Sequence, residues 1–203
     1  MAEDLGFQHR FVPGADGSTL LLLHGTGGHE SDLLGLGRHL NPNANLLSPR
    51  GKVLEHGMPR FFRRLSLGVF DVPDLIEQTH DLARFIERAS EEYNLDPERI
   101  TAIGYSNGAN IAASLLFLHP GALAGAALLH AMPPFYPEEL PDLDDKPILL
   151  TAGRNDDMVP GDEAELLGEL YRRSGADVSL VWMPGGHELT PTEISIVKEW
   201  MEA

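Results

Sequence analysis

The sequence predicts an α/β protein, a mostly parallel central sheet with helices on both faces, and three observations predict it. Short apolar runs alternate with amphipathic stretches of helical period along the chain. The strongest of these runs is apolar on consecutive positions, as a strand covered on both faces is. Glycines gather where several runs end and a loop or helix begins, the place where sheets of this kind bind ligands.

Thr19-Leu20-Leu21-Leu22-Leu23-His24 is predicted as a central strand that stops at a glycine cluster. Leu33, Leu36, Gly37 and Leu40 fall at helical spacing, and Asn45 to Ser48 reads as a short second strand. Residues 49 to 72 show no clear period and are predicted to be loop. Pro73 suits a first helical turn, and Leu75, Thr79, Leu82, Ile86, Ala89 and Tyr93 recur every three or four residues behind it. Arg99 to Gly104 is a strand that feeds a helix from Asn107 to about Leu118, and Ala122 to His130 and Pro147 to Ala152 are further apolar runs. Gly161 to Ser174 reads as a helix and Asp177 to Met183 as a strand. Thr190-Pro191-Thr192-Glu193 is a capping box with proline at the first helical position, opening a last helix.

The 203 residues hold one substantial core, so one domain spanning 1 to 203 is expected. The longest unassigned stretch, 49 to 72, leaves no room for a large cap. A composition of 42% hydrophobic and 23% charged residues is that of a globular protein, and no stretch reaches the ~20 apolar residues of a membrane span. The start, MAEDLGFQHRF, places acids before any base and has no apolar core of signal-peptide length, which makes a cytoplasmic location the expectation. With no cysteine, disulfides, thiolate metal sites and a cysteine nucleophile are excluded. A formal charge of −16 repels a phosphate backbone, so nucleic acid is not an expected partner; an acidic surface of this kind keeps an enzyme dispersed.

Gly104-Tyr105-Ser106-Asn107-Gly108 matches GxSxG, a tight strand-to-helix turn that pushes a serine hydroxyl out above a sheet. Its setting fits, because Ile100 to Ile103 is apolar and Ala109, Ala112 and Ala113 open a small-residue helix. Ser106 is therefore the candidate nucleophile, against the alternative of a buried structural serine. Among nine histidines, His187 follows a strand and is preceded by two glycines, which makes it the candidate base; His24 and His130 also end apolar runs. Gly153-Arg154-Asn155-Asp156-Asp157 follows another strand and supplies two acids, between which spacing does not choose. A carboxylate accepting the histidine's other ring proton fixes the tautomer and stabilises the imidazolium formed during attack. Backbone amides of Thr26, in the glycine-rich loop after the first strong strand, and of Asn107 are the expected oxyanion donors. That loop lacks the lysine and hydroxyl residue of a P-loop, which argues against nucleotide binding.

LLLLHGTGG at 20 to 28, GYSNGA at 104 to 109, GRNDDMVP at 153 to 160 and GGHE at 185 to 188 resemble the phospholipase/carboxylesterase family of α/β-hydrolases, which includes acyl-protein thioesterase-like enzymes. The resemblance covers nearly the whole chain. It implies the α/β-hydrolase fold, hydrolase activity, no cofactor and no metal, and it places the acid at Asp156 rather than Asp157. Asn107 and Thr26 stand where thioesterase members usually carry glutamine and an apolar residue, and both still donate through the backbone.

The reading is a serine carboxylesterase acting on small to medium esters through an acyl-enzyme, with a small-molecule ester as partner, no membrane insertion, and a homodimer left open. Its alternatives are a thioesterase, lactonase or peptidase on the same residues, or a ligand-binding protein without catalysis. A histidine base predicts kcat/KM rising through roughly pH 6 to 7.5. In the 58 to 64 stretch, Phe61 and Phe62 are expected to contact the acyl or aryl group while an arginine, Arg60 or Arg63, meets an anionic substituent; the alternative is a loop anchored by aromatics with solvated arginines.

Overall fold

The computed structural model describes residues 5 to 203, so the acidic start read for localisation lies largely outside the described residues. Its frame is a seven-stranded sheet of β1 (His9–Val12), β2 (Thr19–Leu23), β3 (Asn45–Pro49), β8 (Ile100–Tyr105), β9 (Gly125–Leu129), β10 (Pro147–Gly153) and β11 (Asp177–Met183). The spatial order is β1-β3-β2-β8-β9-β10-β11. Every neighbouring pair is parallel except β1 with β3, which run antiparallel from His9 opposite Pro49 to Val12 opposite Leu46.

The consecutive apolar positions of β2 are explained by what covers each face. Leu20 and Leu22 join one core with Leu46, Ile103, Leu129, Leu149 and Val197, whereas Leu21 and Leu23 join another with Leu47, Leu75, Phe85, Ala102, Leu128 and Leu150. Side chains alternate across a strand, so a strand buried on both faces needs leucine at every position. The first core is closed by α1 (Leu34–Leu40) and α5 (Pro191–Met201), the second by α2 (Val72–Tyr93), α3 (Asn107–Leu118) and α4 (Gly161–Arg173).

The local signals behave as their chemistry requires. Asp71 caps α2, its side chain accepting from the Asp74 amide, and Asn94 closes that helix in the left-handed conformation. The Thr190–Glu193 capping box is complete in both directions. The apolar run from Ala122 forms a strand only from Gly125, because residues 120 to 122 turn in a 3-10 helix.

The expectation of a loop over 49 to 72 is corrected. Two hairpins occupy it, β4 (Val53–Glu55) with β5 (Met58–Arg60), and β6 (Arg64–Ser66) with β7 (Val69–Phe70). Strands of two or three residues are too short to print a period. The antiparallel edge strand β1 was also not read from sequence; Phe11 stacks on Tyr93 there, ring centroids 4.0 Å apart.

Among the described residues no helix is long and apolar enough to cross a membrane. In the sheet, β2 sends its chain to β3 on one side and has β8 on the other, so the loops after β2 and β8 diverge and leave a crevice at their carboxyl ends.

Candidate active site

Ser106 stands in that crevice between β8 and α3, at φ 53° and ψ −115°. A non-glycine residue rarely takes such a conformation, and it holds only because its surroundings enforce it. The Ser106 amide donates to Leu129 O at 2.9 Å, and the Ser106 carbonyl accepts the first helical bond from Asn110. The flanking glycine at 108 is a steric requirement, since a Cβ there would lie 2.0 Å from Leu23 O. That contact is what lets α3 start directly over the end of β2.

His187 comes from the loop after β11. Its Nε2 lies 2.8 Å from Ser106 Oγ, and its Nδ1 lies 2.7 Å from Asp156 Oδ2. Gly153 lets the acid loop approach, because a Cβ there would sit 2.1 Å from Gly186 O. The Asn155 amide donates to Gly185 O, which fastens the two loops. Asp156 Oδ1 accepts from the Met158 and Val159 amides at 2.8 and 3.0 Å. Burial opposes the charge on Asp156, but the hydrogen bonds from His187 and from these two amides outweigh it and hold its pKa below the ordinary carboxylate value. The structure therefore brings together Ser106, Asp156 and His187, and it is Asp156 rather than Asp157 that meets the histidine.

The other two strand-ending histidines have different places. His24 is buried and neutral in character: its Nδ1 donates to Gly25 O, its Nε2 accepts the Gly51 amide at 3.0 Å, and burial lowers its pKa. His130 lies behind Asp156, with its Nδ1 3.0 Å from the same Oδ2 that His187 uses. Sequence reasoning did not find that role, although His130 was among the strand-ending histidines. It also missed the Tyr105 hydroxyl, which donates to His187 O at 2.8 Å and steadies the loop. His130, Asp156 and His187 are the one group of three metal-ligating side chains among the described residues, and their facing atoms are engaged with one another in the hydrogen bonds just described.

Thr26 and Asn107 both line the cleft beside Ser106. As the first residue of α3, Asn107 carries an amide with no acceptor inside its helix, and the Thr26 amide has none among the described residues. The Asn107 side chain is 2% exposed; its Oδ1 accepts the Phe61 amide at 2.7 Å, while its Nδ2 has no partner. The Gly27 amide donates to Pro59 O, tying the loop after β2 to the hairpin.

The cleft beside Ser106 is a narrow one, with a cavity volume of about 30 Å³. Its polar lining residues include Thr26, Arg60, Arg64 and Asn110, and its apolar ones are Leu67, Phe70, Met132, Met158 and Val159. Phe61 and Phe62 are absent from it, which corrects their expected contact with the acyl or aryl group. They are 1% and 0% exposed, with Phe61 packed on His24 and Phe62 edge-on to Phe70. Removing two large rings from water outweighs any use of them at an open surface. Arg63 also points elsewhere: its amide and guanidinium hold Asp74 and Asp71 at the start of α2. Of the arginines considered from sequence, Arg60 is the one at the cleft. It is 3% exposed, donates to Thr26 Oγ1 at 2.5 Å and pairs with Glu55 at 3.3 Å. Burial and the neighbouring Arg64 push its pKa down to about 10, against the pull of Glu55.

An open sheet of this order, with an elbow serine facing a histidine at the strand ends, is the α/β-hydrolase fold. Residues 73–195 match the family model described as the dienelactone hydrolase family, and the chain belongs to that family of hydrolytic enzymes. It is 50% identical over 193 residues to the Bacillus subtilis (strain 168) protein named "Putative hydrolase MhqD", covering 95% of this chain and 96% of that one. A Bacillus cereus carboxylesterase structure superposes with a TM-score of 0.95 at 48% identity, over 97% of this chain and 93% of that chain. A Mesorhizobium loti carboxylesterase does so with a TM-score of 0.92 at 32% identity, over 100% and 98%.

Proposed function

We propose that the protein is a serine carboxylesterase in which Ser106 attacks an ester carbonyl, His187 takes the serine proton, and Asp156 holds the imidazole. The observation that carries this reading is the continuous line of hydrogen bonds, 2.8 Å from Ser106 Oγ to His187 Nε2 and 2.7 Å from His187 Nδ1 to Asp156. Because Nδ1 donates to the carboxylate, Nε2 is left as the acceptor that the serine hydroxyl needs. Ser106 Oγ bonds to the carbonyl carbon as its proton passes to His187 Nε2, and the oxyanion is held by the amides of Thr26 and Asn107. Collapse of that intermediate expels the alkoxide, which takes the proton from His187 and leaves as the alcohol. Water then attacks the acyl-enzyme with the same base, and Ser106 leaves with its proton restored.

The apolar residues of the cleft, Leu67, Phe70, Met132, Met158 and Val159, take the acyl group. The family description favours a second reading, lactone hydrolysis on the same residues, in which the expelled alkoxide remains attached to the acyl group.

The test is hydrolysis of p-nitrophenyl esters of increasing acyl length, and of a small unsaturated lactone, by the wild type and by Ser106→Ala, alongside labelling with a fluorophosphonate. Serine-dependent ester turnover with labelling is expected. Turnover confined to lactones moves the assignment to the second reading, and binding without turnover or labelling overturns both.

A further inference from the structure

Behind the line from Ser106 to Asp156 lies a titratable group that the proposed reaction does not use. His130 ends β9 in a left-handed conformation, φ 57°, and is 0% exposed. Its two ring nitrogens face two carboxylates. Nδ1 is 3.0 Å from Asp156 Oδ2, and Nε2 is 3.2 Å from Oε1 and 3.4 Å from Oε2 of Glu193. Glu193 is itself 0% exposed, accepting from Thr151 Oγ1 at 2.5 Å and from the Thr190 amide.

An ionised carboxylate only accepts, so a nitrogen that bonds to one must carry a proton. Asp156 is fully committed as an acceptor, with two amides on Oδ1 and two histidines on Oδ2. Glu193 likewise has donors at both oxygens besides His130. The remaining groups around the ring do not supply another charge: Tyr105 of β8 presents an edge 6.0 Å away, and the His187 ring stands at 5.1 Å.

We propose that His130 is a positioning residue, held as an imidazolium between Asp156 and Glu193, that clamps the acid loop to the first turn of α5 and tempers the negative charge Asp156 turns toward His187. The inference rests on the esterase reading given above for its consequence in catalysis, and on geometry alone for the clamp. Burial opposes the charge on His130, but its bonds to Glu193 and Asp156 outweigh that and raise its pKa; for Glu193, burial is outweighed by His130 and Thr151, which lower its pKa. Both directions favour the ion pair.

The clamp has a geometric result. It joins the ends of β9 and β10 to the helix that begins four residues beyond His187, so the spacing between Asp156 and the loop of His187 is set from behind. It also has an electrostatic result. A cation beside Asp156 competes for the carboxylate with the imidazolium that forms on His187 during attack.

The double substitution His130→Asn with Glu193→Gln tests this. Asparagine tolerates the left-handed backbone and places an amide donor near the position of Nδ1 for Asp156, and glutamine keeps the capping box and removes the charge of Glu193, which would otherwise be left buried without its partner. The expected result is that the acid limb of kcat/KM, and of the rate of fluorophosphonate labelling, moves up by about one pH unit. Activity at pH 6 should then fall about tenfold and recover by about pH 9, with KM within about twofold. A profile that superimposes on the wild type, with only thermal stability lowered, overturns the positioning role. A second readout needs no turnover. In ¹⁵N-histidine NMR spectra the wild type should show one histidine that keeps both ring nitrogens protonated to higher pH than a free imidazole does, a signal absent from the His130→Asn variants. A single neutral tautomer for His130 at pH 6 overturns the imidazolium clamp. Absence of serine-dependent turnover and labelling sinks the esterase reading instead, and leaves the spectra to decide the clamp.

Discussion

The two walls of the cleft are built on opposite principles. On the wall formed by the ends of β9 and β10 and the start of α5, the buried charged groups are matched: Asp156 accepts four hydrogen bonds, and Glu193 and His130 are buried against each other. On the wall formed by the loop after β2, the start of α3 and the two hairpins, the Thr26 amide has no acceptor among the described residues and apolar surface is left exposed. The Asn107 Nδ2 is unpartnered, and the hairpin bearing Leu65, Leu67 and Val69 exposes them by 72%, 59% and 50%. In the reaction proposed, the first wall moves protons and gains from fixed charges that need no reorganisation, whereas the second receives substrate and must keep its hydrogen-bonding capacity and apolar surface unspent. Substitutions on the first wall should therefore damage rate and stability, and those on the second should alter selectivity.

The sharpest break is Asp156→Asn. It is expected to lower kcat by about 10⁴-fold, because the amide presents the wrong partner to His187 Nδ1 while the shape is unchanged. A loss of under tenfold would mean that the proton wall is not organised around Asp156. Next comes His130→Ala, which leaves Asp156 and Glu193 as neighbouring buried carboxylates without their cation. A loss of about 3 to 5 kcal/mol in urea-unfolding free energy is expected. An ion pair should also show in pH. A histidine whose folded pKa is raised contributes stability that is complete below its unfolded pKa of about 6.5 and is lost as pH rises through the folded value. The stability gap between the wild type and the His130→Asn, Glu193→Gln variant should thus be larger at pH 6 than at pH 9.

On the substrate wall the effects are smaller. Asn107→Ala removes the acceptor of the buried Phe61 amide and should cost about 1 to 3 kcal/mol of stability, while its backbone amide still serves the oxyanion. Leu67→Ala, at an exposed rim position, should leave the melting temperature unchanged. It should reduce the preference for longer acyl chains by roughly tenfold at most, since shortening a pocket side chain is worth about 1 kcal/mol or a little more. An unchanged acyl-length series would place the acyl group elsewhere.

What was legible in the chain had local causes. The elbow around Ser106, the capping box at Thr190 and the period of α2 are each written within a few residues, because turn sterics, capping and helical spacing act over that range. Strands buried on both faces announce themselves by consecutive leucines for the same reason. The hairpins of 53 to 70 left no such mark, being shorter than any period they would display.

The sequence by itself determined the alternation of strands and helices, the serine at the elbow, and a short choice of histidines and acids at strand ends. It singled out His187 by its glycines, and the tertiary structure shows what each of them meets. His24, His130 and His187 all follow apolar runs, the last marked out only by its two preceding glycines, and what fixes their roles is which atoms arrive across the sheet: Gly51 for the first, Asp156 and Glu193 for the second, Ser106 for the third. Asp156 and Glu193 lie 26 and 63 residues from His130 along the chain, so that meeting has no local signature. Phe61 and Phe62 make the same point with the opposite sign. Aromatic residues in an irregular segment look available to a ligand, and folding instead buried them in the core, where excluding their area from water stabilises the protein most.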